Sequence, residues 1–355
     1  MKTLAKFDRR SVLQRLTSLS LLGTGFCAPS ASPNHALGKQ VSSGKTLEKQ
    51  MQAVEKAIAW LASRVQNDGS FGQTAYQQNL AVVSLGGLAF LGLGNLPGRG
   101  PYGKHVSRLV DFVLQHAQQN GLIGVPDQGV RGLMYGHGFA SLFLAQVYGV
   151  TRQPEVRPAL MNAIELIVST QNEEGGWRYE PAKKDADISV TVCQTMALRA
   201  ARNAGFFVPG KTVTLARNYV LNLQNADGGF RYVTAEGESA YPRTGAAMVA
   251  LSSLGVKKKG IYTLGSRYLM QNVPANAEYA GNPHYFYGQY YAAHALWQQG
   301  GDEWKSWYKQ VGDLLLRKQM PSGAWEDEAI CNEYATAMAC LILSMPKTFL
   351  PLLRK

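Results

Sequence analysis

Cysteine is scarce in this chain of 355 residues: there are four, at positions 27, 193, 331 and 340, and no two have C-x-x-C spacing. That pattern excludes a disulfide framework and a cysteine-rich zinc site, and neither a metal nor a cofactor is expected. The three beyond Cys27 sit inside apolar helical patterns and read as small buried hydrophobes. Charge is sparse as well, at 17% of residues. The net charge is +12, but +5 of it lies in the first forty residues, where Lys2, Lys6, Arg9, Arg10, Arg15 and Lys39 face only Asp8. The remaining cations are scattered, and Lys257-Lys258-Lys259 is the one run. A nucleic-acid binder concentrates its charge on one stripe, so no nucleic-acid partner is expected.

Long apolar runs are also missing. The stretch from Leu16 to Phe26 is too short for a membrane span, but it follows Asp8-Arg9-Arg10-Ser11-Val12-Leu13 and precedes small residues around Ala28 to Ala36. Paired arginines, an apolar segment and small residues predict an export signal of the twin-arginine type. A lipid anchor on Cys27 is disfavoured by bulky Phe26 before it. Residues 1–40 are therefore expected to be signal and linker, residues 41–355 a single domain without a membrane anchor after cleavage, and the location periplasmic or extracellular. An Arg9→Lys/Arg10→Lys variant should stay in the cytoplasm; unchanged localisation on fractionation would remove this expectation.

What the chain does have is a repeat. Gln171-Asn-Glu-Glu-Gly-Gly-Trp177 is nearly copied by Gln224-Asn-Ala-Asp-Gly-Gly-Phe230, Gln319-Met-Pro-Ser-Gly-Ala-Trp325 keeps the spacing, and Gln66-Asn-Asp-Gly-Ser-Phe71 is one residue shorter. Gln119-Asn120-Gly121 and Gln271-Asn272 are degenerate copies. A period of about fifty residues is a repeat-architecture signal. Amphipathic segments precede each glutamine, at 46–65, 104–118, 154–170, 211–223, 261–271 and 302–318. Far more apolar, Ala- and Gly-rich segments follow, at 75–91, 137–148, 187–203, 241–254, 285–298 and 332–344. Helices polar on one face suit an outer layer, and helices apolar all round must be enclosed. Gly92, Gly149, Gly205, Gly255 and Gly300 are placed to close the helices as left-handed caps. The last segment is strongly apolar rather than a polar cap, which suits closure against the first pair instead of an open superhelix. The expected fold is all-α, an (α/α)6 toroid of six outer and six inner helices.

The repeated Gln-x-x-x-Gly-x-Trp/Phe turn resembles that of squalene/hopene cyclases, oxidosqualene cyclases and protein prenyltransferase β subunits, over roughly residues 46–345. More narrowly, Met134-Tyr-Gly-His137-Gly-Phe-Ala, Asp187-Ile-Ser-Val-Thr191, His284-Tyr-Phe-Tyr287 and Gly300-Gly-Asp-Glu-Trp304 resemble exported bacterial members of the superfamily. The resemblance implies an isoprenoid or other lipid partner in a central cavity. It does not bring a complete catalytic motif. The cyclases' Asp-x-Asp-Asp acid is matched by Asp185-Ala186-Asp187, but Ile188 stands where the last aspartate belongs. The zinc-binding Asp-x-Cys of the prenyltransferases and the Cys-Gly-Glu-Gln of thioester toroids are absent.

Asp187, with Asp185, is thus the candidate acid, while the simpler reading makes Asp187 or Ser189 the N-cap of helix 187–203. The N-termini of the inner helices share one end of the toroid, forming a partly positive rim. Tyr135, His137, Tyr241, Arg243, His284, Tyr287, Glu333 and Tyr334 fall near that end and are the candidate ligand-binding residues; as core residues they would instead be hydrogen-bonded and enclosed. A glycosidase would need two facing carboxylates, for which Asp185 or Asp187 with Glu333 is the one pairing available. The long connections 120–136 and 272–283 are candidate lips at the mouth. Binding in the cavity without assigned chemistry ranks first, an Asp187-dependent cyclase next, and a carbohydrate-active enzyme or a scaffold after them.

Overall fold

The computed structural model describes residues 36–125, 132–274, 282 and 284–350. Twelve helices alternate along these residues, and no strand occurs among them. The odd-numbered ones are α1 (Ala36–Arg64), α3 (Gly103–Gln115), α5 (Val156–Ser169), α7 (Gly210–Leu221), α9 (Lys259–Gln271) and α11 (Gly301–Lys318). The even-numbered ones are α2 (Leu80–Gly92), α4 (Leu133–Thr151), α6 (Ile188–Asn203), α8 (Tyr241–Ser253), α10 (Tyr285–Gln299) and α12 (Asn332–Leu343). Residues from Thr46 onward form one compact unit.

The apolar segments make the inner ring. Each packs on the next, α2 on α4, α4 on α6, α6 on α8, α8 on α10, α10 on α12, and α12 on α2. The ring is closed, as the enclosed final helix required. Close approach depends on small residues: a Cβ on Gly245 would meet Tyr291 and Ala292 of α10 within about 3 Å. Each amphipathic helix buries one stripe against the inner ring, as Val106, Leu109, Val110 and Val113 do in α3.

The turn residues explain how each outer helix is sent inward. Asn172 N–H donates to Gly176 O (3.1 Å) and Gly175 N–H to Asn172 O (3.1 Å). Gln171 Nε2 donates to Gly175 O (2.8 Å) and reaches Thr212 O (3.0 Å) on α7, the next outer helix. Gln224 repeats this with Gly228 O and Ile261 O of α9, both at 3.2 Å. Gln319 repeats it with Gly323 O and Ala53 O of α1, both at 2.8 Å. The bond that elsewhere joins neighbours here joins the last turn to the first helix.

Of the three remaining repeat glutamines, Gln271 is the last residue of α9, and Gln66 and Gln119 stand out of that register. Gln66 N–H donates to Ser70 O, and Gln118 N–H to Leu122 O, so both occupy the place of Asn172 rather than of Gln171. Gln119 is one residue further out of step. The glycines keep register: Gly69, Gly121, Gly175, Gly228 and Gly323 all have positive φ and all lie against a carbonyl of the next outer helix.

Smaller expectations are corrected too. The helix expected from residue 75 begins at Leu80, because Asn79 Oδ1 caps it by accepting from Ala81 N and Val82 N. Gly205, Gly255 and Gly300 have positive φ as expected, but Gly92 and Gly149 are helical, and Arg152 takes the left-handed cap after α4. Helix α1 starts before the expected Thr46. The export segment lies outside the described residues up to position 35.

The two ends of the ring differ in charge. The outer-to-inner connections carry twelve described acids (Asp68, Glu173, Glu174, Glu180, Asp185, Asp187, Asp227, Glu236, Glu238, Glu326, Asp327, Glu328) against four bases (Arg178, Lys183, Lys184, Arg231). The inner-to-outer connections and the segment after α12 carry five bases (Arg99, Arg152, Lys257, Lys258, Lys347) against Glu155 alone.

Candidate functional site

At the acidic end the inner-helix N-termini surround a cavity of about 870 Å³. Aliphatic and aromatic side chains line most of it, among them Leu80, Val82, Leu85, Phe139, Ile330 and Met338. Six tyrosines join them: Tyr76, Tyr135, Tyr179, Tyr232, Tyr287 and Tyr334. Glu180 and Arg243 are the charged residues among the described lining. Gly124, Val125 and Gly132 border it on one side and Asn282 and His284 on another, so both long connections reach the cavity; their central residues, 126–131 and 275–281, lie outside the described residues.

The structure brings together five of the eight expected ligand-binding residues: Tyr135, Arg243, His284, Tyr287 and Tyr334. The other three are held in packing. His137 is fully buried; Ile123 N–H donates to its Nδ1 (3.1 Å), which fixes Nε2 as the protonated nitrogen facing Ala163 O (3.2 Å). Tyr241 OH donates to Gln289 Oε1 and accepts from Trp307 Nε1, each at 2.8 Å. Glu333 is buried and accepts from Arg64 Nε at 2.9 Å. These three stabilise the ring rather than face the cavity.

The two aspartates separate. Asp185 turns to the surface and pairs with Arg178 Nη1 at 2.6 Å. Asp187 is fully buried and is the N-cap of α6, its Oδ1 accepting from Val190 N (2.9 Å) and Ser189 Oγ (2.6 Å). Its Oδ2 has no hydrogen-bond partner, with Arg178 Nε 3.7 Å away. Burial raises the pKa of the Asp187 carboxyl, against the opposing pull of Ser189, Val190 N–H, the Tyr232 hydroxyl and Arg178. The capping and acid readings are therefore compatible. Asp187 itself is absent from the cavity wall, but Ser189 and Tyr135 are on it, and Tyr135 OH donates to Ser189 Oγ at 2.6 Å. A chain of two hydroxyls thus runs from the cavity to the buried carboxylate. The Asp–Glu333 pairing does not flank the cavity.

Three lining tyrosines escaped sequence reasoning. Tyr179 and Tyr232 each stand two residues after the turn aromatic, in Trp177-Arg178-Tyr179 and Phe230-Arg231-Tyr232. Their hydroxyls meet each other, and the Arg178 guanidinium lies 5.3 and 5.9 Å from their ring centres. This repeated Arg-Tyr was the available signal. Tyr76 belongs to the first connection and had none. The charge of the surrounding turns also counters the positive rim expected from helix N-termini alone. Among the described residues no group of three His, Cys, Asp or Glu could hold a metal ion, and no helix is long and apolar enough to cross a membrane.

A closed ring of six outer and six inner helices around a cavity defines an α/α toroid. The chain belongs to the prenyltransferase alpha-alpha toroid domain family, whose model matches residues 4–140 and 150–323. No curated protein matches the sequence. Among solved structures, a type II terpene cyclase variant from Scytonema in complex with merosterolic acid A is similar over 84% of this chain and 96% of its own, at 11% identity and a TM-score of 0.59. A protein from Actinoplanes covers 83% and 98%, at 17% and 0.57. An α-1,6-mannanase from Salegentibacter sp. HEL1_6, in complex with α-1,6-mannotetrose, covers 83% and 98%, at 8% and 0.59. At such identities the likeness is one of fold.

Proposed function

We propose that the protein is exported and binds an elongated apolar molecule of the isoprenoid or related lipid class in the central cavity. The observation that carries this reading is the wall itself, aliphatic and tyrosine-rich with one acid and one base among its described residues. At about 870 Å³ it falls within the roughly 300–1,000 Å³ usual for small-molecule sites. Tyrosine faces would also stack on sugars, but hydrolysis needs two carboxylates about 5–10 Å apart, and Glu180 is alone on the described wall. A relative of the same fold holds geranylgeranyl dihydroxybenzoate, which agrees with the apolar reading.

The hydroxyl chain favours a second reading, in which a protonated Asp187 donates to Ser189 as Ser189 donates to Tyr135 and Tyr135 to the substrate, both hydroxyls turning round from the arrangement in which they donate toward the carboxylate. One experiment addresses both. Geranylgeraniol is titrated into the purified protein and the mixture is analysed by native mass spectrometry and for products. Binding should fall at least about tenfold in Ala81→Phe, which fills the cavity from α2, because a blocked apolar wall removes most of the contact. Absence of binding, or equal binding by Ala81→Phe, refutes the cavity proposal. Product formed by the parent protein and lost in an Asp187→Asn variant that still binds would establish the acid; no product leaves a binding protein.

A further inference from the structure

The basic end of the ring carries the largest exposed apolar side chains. Phe207 is 84% exposed, Phe349 57% and Val150 44%; Phe207 lies between α6 and α7, Val150 in the last turn of α4, and Phe349 in the segment after α12. A single exposed apolar side chain is ordinary, but these three share one end of the ring with its basic residues, and it is that combination which fits a surface meeting another phase or partner. The corners around them are joined. Arg152 Nη1 donates to Ala204 O (2.6 Å), tying the corner after α4 to the one before α7. Arg217 Nη2, on α7, donates to Leu254 O (3.1 Å) at the corner that carries Lys257, Lys258 and Lys259. Val150, Phe207 and the lysine run therefore occupy three consecutive corners of one face. Glu155, at the corner after α4, and Asp302 and Glu303, in the first turn of α11, are the acidic exceptions at this end.

We propose that this face is a docking surface for an anionic lipid bilayer, seated by Phe207 with Val150 and Phe349 and held by the lysine run. Isolated apolar tips among cations match an interface that is apolar at depth and negative at its surface. A nucleic acid would call for a continuous basic stripe and has no use for the exposed phenyl rings at the tips. The acid-rich opposite end makes the molecule strongly dipolar, so an anionic surface both attracts the basic end and repels the other. Docked this way, the cavity mouth faces away from the bilayer. The inference rests on exposure and charge at the far end and is independent of what the cavity holds.

The test is co-sedimentation of the full chain with vesicles of phosphatidylcholine alone or with 30% phosphatidylglycerol, at low and high salt. Binding should require the anionic lipid and weaken with salt as charges are screened. At about fivefold per lysine near an anionic surface, Lys257→Gln/Lys258→Gln/Lys259→Gln should lower the partition roughly a hundredfold. Phe207→Ser should lower it several-fold without changing the salt dependence. Lys183→Gln/Lys184→Gln, at the cavity end, should leave it within about twofold. Equal binding to neutral vesicles overturns the proposal. So does wild-type binding by the triple variant, as would follow if the N-terminal residues alone held the membrane. An equal loss in the Lys183/Lys184 variant, which would mean attraction by net charge without a face, overturns it as well.

Discussion

Gly175→Ala should destabilise the protein by about 4 kcal/mol or more, among the largest costs of any single methyl group in the chain. Two effects act together. Gly175 has φ +102°, a conformation that costs an L-residue of the order of 1–2 kcal/mol. Its added Cβ would also lie 2.3 Å from Leu215 O and 2.4 Å from Leu215 C. Those are backbone atoms of α7, and α7 cannot retreat without lengthening the Gln171 Nε2 bond to Thr212 O. The turn cannot retreat either, because Trp177 N–H donates to Thr191 Oγ1 on α6 and Trp177 Nε1 to Ile167 O on α5. Gly210→Ala is the contrasting substitution. Nothing lies within 4 Å of its Cβ, the residue is the first of α7, and alanine there should be neutral or stabilising by up to about 1 kcal/mol. Urea unfolding of both variants checks the pair. A cost below about 1 kcal/mol for Gly175→Ala would mean that the turn does not clamp one outer helix to the next.

That clamp is also where sequence and structure agree and part. The period of about fifty residues was legible because each repeat must bury one apolar helix behind one amphipathic helix, and composition records burial directly. Ring closure followed from the apolar final helix, and Gln319 donating to Ala53 O gives it a physical bond. The register was misread at Gln66 and Gln119. Identity of residue type suggested glutamine as the marker, whereas the invariant physical requirement is a left-handed residue without a side chain against a neighbouring carbonyl. The candidate site was half legible for a related reason. A residue's distance from a helix start fixes its height in the ring but not its direction around the helix. Tyr135 and His137 are both in the first turns of α4; one lines the cavity and the other fills the wall between α4 and α5. Asp187 shows the limit of motif reading. The motif located a buried acid, but only coordinates show Ser189 and Tyr135 standing between it and the cavity.

Two histidines buried on the inner ring make acid the expected route of unfolding. His137 accepts from Ile123 N–H at Nδ1, so a second proton would meet a donor already in place, and burial lowers its pKa to about 4. His294 lies against Tyr290 with its ring centre 4.4 Å away, its Nε2 lacks a partner, and burial lowers its pKa to about 3. Both folded values lie below the ordinary 6.5, so each histidine takes up its proton more readily in the unfolded chain. Their contribution is fully present above pH 6.5 and is lost as pH falls. At 1.36 kcal/mol per pH unit, each should remove about 3 kcal/mol by pH 4, a large part of the roughly 5–15 kcal/mol that holds a domain folded. Asp187 acts with the opposite sign. Its raised carboxyl binds a proton more tightly in the folded chain, so its stability contribution is present below 3.8 and lost as pH rises through the raised value. It offsets part of the histidine loss near pH 4. Urea midpoints at pH 7, 5.5 and 4 should therefore fall steeply in the parent protein and about half as steeply in His294→Leu. Leucine removes the titrating ring without orphaning a partner, whereas replacing His137 would strand both Ile123 N–H and Ala163 O. An undiminished pH dependence in His294→Leu would exclude that residue as one of the two acid triggers.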